Sequence, residues 1–233
     1  MILAFGFFAL YEIVEAPRSG AFEPVVTHGS GRAIALTFDD GPTPGVTDRL
    51  LAVLEREHVP ATFFVVGRAA RREPGLLRRM AADGDEIENH SDTHAHLNML
   101  LPVALDGELD RANAAIAAIT GRPAAYLRPP FGARNAAVLD AARRRGMQVV
   151  LWSVAGPGPP IGSFTREEDR RAYAQELAAR VDDGAIVLLH DGDRGRGDPG
   201  ELAFQAEAVP YLISALRARG DRFVTVSQLL ASR

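Results

Sequence analysis

A small set of polar residues in this sequence has the types and spacing for hydrolytic metal chemistry. His90 and His94 stand four residues apart in Asn-His-Ser-Asp-Thr-His-Ala-His-Leu, a separation that lets both imidazoles face one point from a helical turn. Two imidazoles and one carboxylate, with a position left open, make a hydrolytic metal site. Asp39 and Asp40 offer the carboxylate. Neighbouring side chains at a strand end point in opposite directions, so one carboxylate can bind metal while the other faces the bound water. The metal would lower the pKa of that water to about 7, and the second carboxylate would accept its proton. Gly41-Pro42 supplies a tight turn directly after the pair. His190 is a second acid–base group, expected on the opposite side of the mouth, where it would protonate the leaving group. Arg128, fixed by Pro129-Pro130, would hold the base carboxylate ionised and oriented.

These residues need elements that bring them together. Short apolar runs alternate with longer mixed segments, the pattern of βα units. Strands are expected at Ala33–Phe38, Ala61–Val66, Asp85–Asn89, Ala125–Arg128, Gln148–Trp152, Ala185–Leu189 and Phe223–Val226. Helical spacing covers Val46–His58, Pro74–Ala82, Leu100–Thr120, Asn135–Arg145, Thr165–Val181 and Leu202–Arg219. Asn135 and Thr165 read as N-caps, and Ser227 caps a last short helix. The run Gly156–Gly162, Gly-Pro-Gly-Pro-Pro-Ile-Gly, is loop. Asp39-Asp40, His90, Arg128 and His190 each fall just after the C-terminal end of a different strand, the rim on which β/α barrels build active sites. Seven strands alternating with helices suggest an α/β fold, a parallel (β/α) barrel or a doubly wound sheet, and residues converging on one mouth favour a sheet that closes or nearly closes. No Gly-x-Gly-x-x-Gly or Walker loop follows any strand, so nucleotide binding has no support.

The motifs, taken in order, resemble one known family. Thr37-Phe38-Asp39-Asp40-Gly41-Pro42, His90-Ser91-Asp92-Thr93-His94, Arg128-Pro129-Pro130-Phe131-Gly132 and Leu188-Leu189-His190-Asp191 are similar to the first, second, third and fifth motifs of polysaccharide deacetylases of the NodB-homology type, carbohydrate esterase family 4. The match runs from about Arg32 to Leu230, and the resemblance implies an α/β fold, a distorted parallel (β/α) barrel with about seven strands. The resemblance implies Asp39 as catalytic base and Asp40, His90 and His94 as metal ligands. It implies His190 as catalytic acid and Arg128 as the residue that orients the base. The Phe131 N–H would join the metal as oxyanion hole, and Leu188 would line the pocket for the acyl methyl. The family's fourth motif, an Asp-Trp after the fifth strand, has no counterpart, since Trp152-Ser153-Val154-Ala155 continues without an Asp until Asp169. Trp152 reads as core rather than groove wall, and the usual acidic partner of His190 is missing from that place.

The implied reaction is metal-dependent removal of an N-acetyl group from an amino sugar of a polysaccharide, of chitin, chito-oligosaccharide or peptidoglycan type. Zinc is the default metal, and cobalt, nickel or iron suit the same ligands. A deacylase or deformylase of a lipid-linked amino sugar or small cyclic amide, and a metal-binding non-catalytic relative, are the competing readings. Composition agrees with an ordinary globular enzyme: 233 residues, 24% charged, 47% hydrophobic, net charge −4 and no cysteine. Without cysteine there is no disulfide, thiolate zinc site or cysteine nucleophile. A pI near 5.9 speaks against a nucleic-acid partner. The apolar run Met1–Tyr11 is too short to span a membrane before Glu12 and Glu15. It reads as the end of a longer anchor or, equally, a helix packed on the barrel, with a short membrane-dipping segment as a third reading. The expected organisation is a lead-in over residues 1–31, with possible membrane proximity through 1–11, and a catalytic domain over 32–233. The partner is a carbohydrate, the protein a monomer, and its location extracytoplasmic, periplasmic or cell-envelope, with membrane anchoring left open. His96 reads as surface or as a residue behind the ligands. Arg71-Arg72 and the acidic Asp191–Gly200 stretch read as solvated.

Overall fold

A computed structural model describes residues 24–156, 166–192 and 199–231. The strands are β1 (Ala33–Asp39), β2 (Thr62–Val65), β3 (Glu86–Asn89), β4 (Tyr126–Leu127), β5 (Gln148–Val149), β6 (Val154–Ala155), β7 (Ile186–His190) and β8 (Arg222–Phe223). The helices are α1 (Thr47–Glu57), α2 (Gly67–Arg72), α3 (Pro74–Asp83), α4 (Pro102–Thr120), α5 (Ala136–Arg144), α6 (Glu167–Arg180), α7 (Pro199–Ala218) and α8 (Val226–Ala231). All strand pairs are parallel, in the order β5-β4-β3-β2-β1-β7-β6, with β8 added to the start of β1. Between the two ends of that order lies the segment before β1. Val26 bridges Val150 and His28 bridges Ala185, so the chain itself fills part of the gap in the curled sheet. This is the distorted (β/α) barrel expected. No helix among the described residues is long and apolar enough to cross a membrane.

The alternation in β1 sets the two layers. Ile34, Leu36 and Phe38 face the helices with Phe63, Val65, Ile87, Val187 and Leu189, and all are buried. Each such side chain contributes about 1.5–3 kcal/mol when fully buried. Ala33 and Ala35 face inward with Phe64, Val150 and Ile186. Their small side chains leave interior volume that larger groups occupy, and the Arg128 guanidinium sits 4.0 Å from the Phe64 ring centre. Inward positions continue to Thr37 and Asp39, so the polar site grows directly out of this inner face.

Several elements differ from expectation. Helix α2 and strand β6 were not anticipated, because six and two residues carry no resolvable periodicity. The fifth strand stops at Val149 rather than Trp152; beyond it Val150 bridges Val26 and the Leu151 carbonyl accepts from Arg128. Ser227 is not a cap. Thr225 caps α8 instead: its hydroxyl accepts from Gln228 N–H at 3.3 Å and Gln228 Oε1 accepts from Thr225 N–H at 3.0 Å, a reciprocal capping box. Ser227 donates to Glu86. Asn135 does cap α5, accepting from Val138 N–H at 3.0 Å. Expectations placed on Met1–Tyr11, on most of the Gly156–Gly162 loop, on the Thr165 cap and on much of the Asp191–Gly200 stretch lie outside the described residues.

Candidate metal centre and active site

The rim at the C-terminal ends of β1, β3 and β7 gathers the expected residues. Asp39 ends β1, and the chain turns at Asp40 with φ 77° before the cis Gly41–Pro42 bond. His90 follows β3. Nε2 of His90 and Nε2 of His94 lie 3.1 and 2.9 Å from the same oxygen of Asp40, Oδ1. One donor atom from each of the three residues falls within 4.8 Å of the others, and Asp40 and His90 are buried. The His90 Nδ1–H donates to the Arg128 carbonyl at 2.7 Å. That bond fixes the ring's tautomer and turns Nε2 toward Asp40, as in metal sites whose ligands are oriented by an outer hydrogen bond. Burial alone would disfavour the Asp40 carboxylate, but hydrogen bonds from His90 and His94 and the charges of His90 and His190 outweigh it and hold the acid far below its usual range. In His90, burial opposes the charged ring, and the Asp39 and Asp40 carboxylates more than reverse that. A negative oxygen and two imidazole nitrogens converging in a buried corner are a donor set that fits a divalent metal.

The two histidines do not reach this point from a helical turn. Residues 90–96 form an irregular loop in which Ser91 and His94 have φ of 63° and 62°. Side chains take the place of helical hydrogen bonds. Asn89 Oδ1 accepts from Ser91 N–H at 2.8 Å and Ser91 Oγ accepts from His94 N–H at 2.9 Å. From α4, Glu108 accepts the N–H groups of Asp92 and Thr93 at 3.1 and 2.8 Å. Asp92 is gripped by Arg71 and Arg111, each at 2.7 Å. Of the five described non-glycine residues with positive φ, four (Asp40, Ser91, His94 and Phe131) surround this cluster, whereas His58 only ends α1. Such conformations cost about 1–3 kcal/mol each and persist where the surroundings over-determine them.

Asp39 is held separately. Nη1 of Arg128 donates to Asp39 Oδ1 and to Thr37 Oγ1, both at 2.7 Å, while Nε and Nη2 donate to the carbonyls of Val150 and Leu151. The Thr37 hydroxyl in turn donates a hydrogen bond to the Val187 carbonyl at 2.7 Å. Burial lowers the affinity of Arg128 for its proton, and the Asp39 carboxylate beside it works against that. The other carboxylate oxygen, Oδ2, lies 3.9 Å from Nε2 of His90. His190 sits beside Asp39 in register, on the neighbour of β1 away from β3. It thus flanks Asp39 across one strand pair rather than facing it over the mouth. Leu188 lies beside Thr37, two residues before His190 on the same face. Phe131 occupies the turn Pro130–Gly132 with φ 62°, its ring edge-on to His94 and stacked on His96 at 3.9 Å between ring centres. His96, read as surface or as a residue behind the ligands, stands behind His94 against Phe131. Asp191 lies behind the site, accepting from the Thr47 hydroxyl at 2.6 Å, and burial pushes its carboxyl up to about 7. Thr37, Glu108 and Thr47 were not singled out from sequence. Thr37 was within reach, being two residues before Asp39 on an alternating strand. Glu108 and Thr47 had no local signal, because their partners lie 16 and 144 residues away.

A parallel β/α barrel carrying an Asp-His-His cluster on its C-terminal rim is the arrangement of a metal-binding hydrolase. The chain belongs to the polysaccharide deacetylase family, whose family model matches residues 27–150. It is 37% identical over 204 residues to a chitooligosaccharide deacetylase from Bradyrhizobium sp. (strain ANU 289), covering 85% of this chain and 90% of the relative. It is 34% identical over 200 residues to the peptidoglycan-N-acetylmuramic acid deacetylase PdaA of Bacillus subtilis (strain 168), covering 85% and 72%. The structure of the peptidoglycan deacetylase PdaC from Bacillus subtilis superposes with a TM-score of 0.70 at 31% identity, over 85% of this chain and 90% of that one. Members of this family hydrolyse carbon–nitrogen bonds other than peptide bonds, and their substrates are carbohydrates.

Proposed function

We propose that this chain removes N-acetyl groups from amino sugars of a chitin-, chito-oligosaccharide- or peptidoglycan-type glycan, with zinc held by Asp40, His90 and His94. The observation that carries this reading is the convergence of those three donors within 4.8 Å beside a carboxylate clamped by a buried arginine. Cobalt, nickel and iron suit the same donors. When bound, the metal supplies a Lewis acid that acidifies water and polarises the acyl oxygen. Asp39 takes the proton of the attacking water through Oδ2, while Arg128 holds Oδ1 at 2.7 Å. The Phe131 N–H donates to the carbonyl oxygen as negative charge develops there. Leu188 packs against the acyl methyl. His190 delivers a proton to the amine nitrogen as the carbon–nitrogen bond breaks.

The catalytic unit is assigned to residues 32–233, with 1–31 as its lead-in. Action as a monomer is part of this reading, and relatives named as peptidoglycan deacetylases support a location outside the cytoplasm, in the periplasm or cell envelope. A second reading, deacylation of a lipid-linked amino sugar, draws support from Met99, Leu101 and Val103, which are 72, 78 and 86% exposed just beyond the histidine loop. The test is acetate release from an N-acetylglucosamine oligomer by metal-stripped protein, then with zinc or cobalt restored. Asp40→Ala and His94→Ala should lose the metal. Asp39→Asn should keep it and slow turnover by about 10²–10⁴. Normal turnover in Asp39→Asn would overturn the base assignment, and faster reaction on a lipid-linked sugar than on the oligomer would favour the second reading.

A further inference from the structure

A pocket of about 230 Å³ opens at the metal centre, and its walls include Asp40, His94, Thr43, Arg68, Arg72 and Glu73. The two arginines belong to α2, Gly-Arg-Ala-Ala-Arg-Arg, where a spacing of four puts Arg68 and Arg72 on one face. Arg71 points elsewhere and is committed to Asp92 at 2.7 Å. Among the described residues, neither Arg68 nor Arg72 has an ion pair or a side-chain hydrogen bond. Glu73 shares the wall and pairs with neither.

The backbone of α2 is tied to both loops that carry the metal ligands. The Val66 N–H donates to the Gly41 carbonyl, the Gly67 N–H to the Ser91 carbonyl and the Arg68 N–H to the Asp92 carbonyl, each at 3.0 Å. The start of the helix that carries both arginines is therefore fixed against the metal centre. Two like charges at this spacing disfavour the helix. A solvated helix face would explain exposed arginines. It does not explain why the paired arginine faces away from the pocket while the two unpaired ones line it.

We propose that this pocket is a subsite for a carboxylate carried by the glycan, so that the substrate is an acidic amino-sugar chain rather than a neutral one. A planar guanidinium matches a carboxylate with two parallel N–H bonds. The inference rests on the deacetylase reading only for which end of the substrate reaches the metal. The carboxylate can come from the sugar itself, as in a muramic-acid ether, or from a peptide attached to it.

The experiment compares an N-acetylglucosamine–N-acetylmuramic acid glycan without peptide, its methyl ester, and the peptide-bearing glycan. Both kcat/KM with zinc and Kd on the metal-free protein are measured. The wild type should favour the free acid over the ester by roughly tenfold or more in both quantities. In the double variant Arg68→Gln/Arg72→Gln that ratio should fall to about one, with the melting temperature checking the fold. A ratio of one in the wild type, which needs no variant, overturns the subsite for a sugar carboxylate. A preference confined to the peptide-bearing glycan assigns the carboxylate to the peptide. An acid-to-ester ratio that survives in the variant overturns the assignment to these arginines, as does an equal loss on both substrates. If no glycan releases acetate, the deacetylase reading fails while the Kd ratio still decides the subsite.

Discussion

Gly192 offers a sharp test of how the metal loop is held. A Cβ at this position would lie 1.9 Å from the Asp40 carbonyl carbon, 2.1 Å from its oxygen and 2.3 Å from the Gly41 nitrogen. All three are backbone atoms, so no side-chain rotation relieves the contact. Both sides are pinned: the Asp191 N–H donates to the Asp39 carbonyl at 3.1 Å and the Val66 N–H to the Gly41 carbonyl at 3.0 Å. Overpacking of this kind costs about 1–3 kcal/mol. Taken up by moving Asp40, that energy lowers metal affinity by about fivefold to a hundredfold, at 1.4 kcal/mol per tenfold. Taken up elsewhere, it lowers the melting temperature by roughly 2–4 °C per kcal/mol for a chain of this size. Zinc competition against a chromophoric chelator and thermal melting of Gly192→Ala measure the two shares. Gly75→Ala is the control, because nothing lies within 4 Å of its Cβ in the first turn of α3. It should gain about 0.4–1 kcal/mol. Wild-type zinc affinity together with a wild-type melting temperature in Gly192→Ala would refute the argument.

Further outcomes follow from the buried charges and the ring stack. Arg128→Met leaves the Asp39 carboxylate buried without its cation and should cost about 3–5 kcal/mol in urea unfolding; a loss below 1 kcal/mol would show the pair to be dispensable. His96→Ala removes the ring stacked on Phe131 and should lower kcat by up to about tenfold with KM unchanged, while His96→Phe restores it. An unchanged kcat in His96→Ala would remove that role. Burial pushes the Asp85 carboxyl up to about 7, against the Ala61 N–H that favours its charge. The folded protein then holds a proton that the unfolded chain releases near pH 4, so this contribution to stability is present below pH 4 and lost as pH rises through 7. Asp85→Asn keeps an acceptor for the Ala61 N–H and should narrow the gap between urea midpoints at pH 5 and pH 8. The raised acids Glu88 and Asp191 leave part of that gap in place. An unchanged gap would place the Asp85 carboxyl in its ordinary range.

The parts of the site read most directly from sequence are those that end strands. Alternation puts Asp39 on the inner face of β1, and an apolar run names β7 and the histidine that closes it. The loop of His90 and His94 was less legible. A spacing of four suggests a helix, yet the conformation is set by Asn89, Ser91 and Glu108, and the last of these acts from another element. Arg128 is visible as a charged residue before two prolines, but its four acceptors on β1 and after β5 exist only once the sheet has curled. Short elements such as β6 take their conformation from the neighbouring ladder rather than from their own residues. The missing acidic residue after Trp152 was plain in the sequence, whereas the Glu108 and Thr47 contacts that steady the metal loop were not.

The central place of β1 also dictates an order of assembly. Asp40, His90 and His94 all come from the first hundred residues, together with β2 and β3. The other neighbour of β1 arrives 150 residues after it, when the Thr37 hydroxyl meets the Val187 carbonyl. During synthesis the metal ligands therefore exist well before His190 does, and β1 waits with one edge unpaired. Such an edge is a template for pairing with other chains. A chain cut short before Ile186 would carry a full set of metal donors on a sheet whose central strand stays open to aggregation.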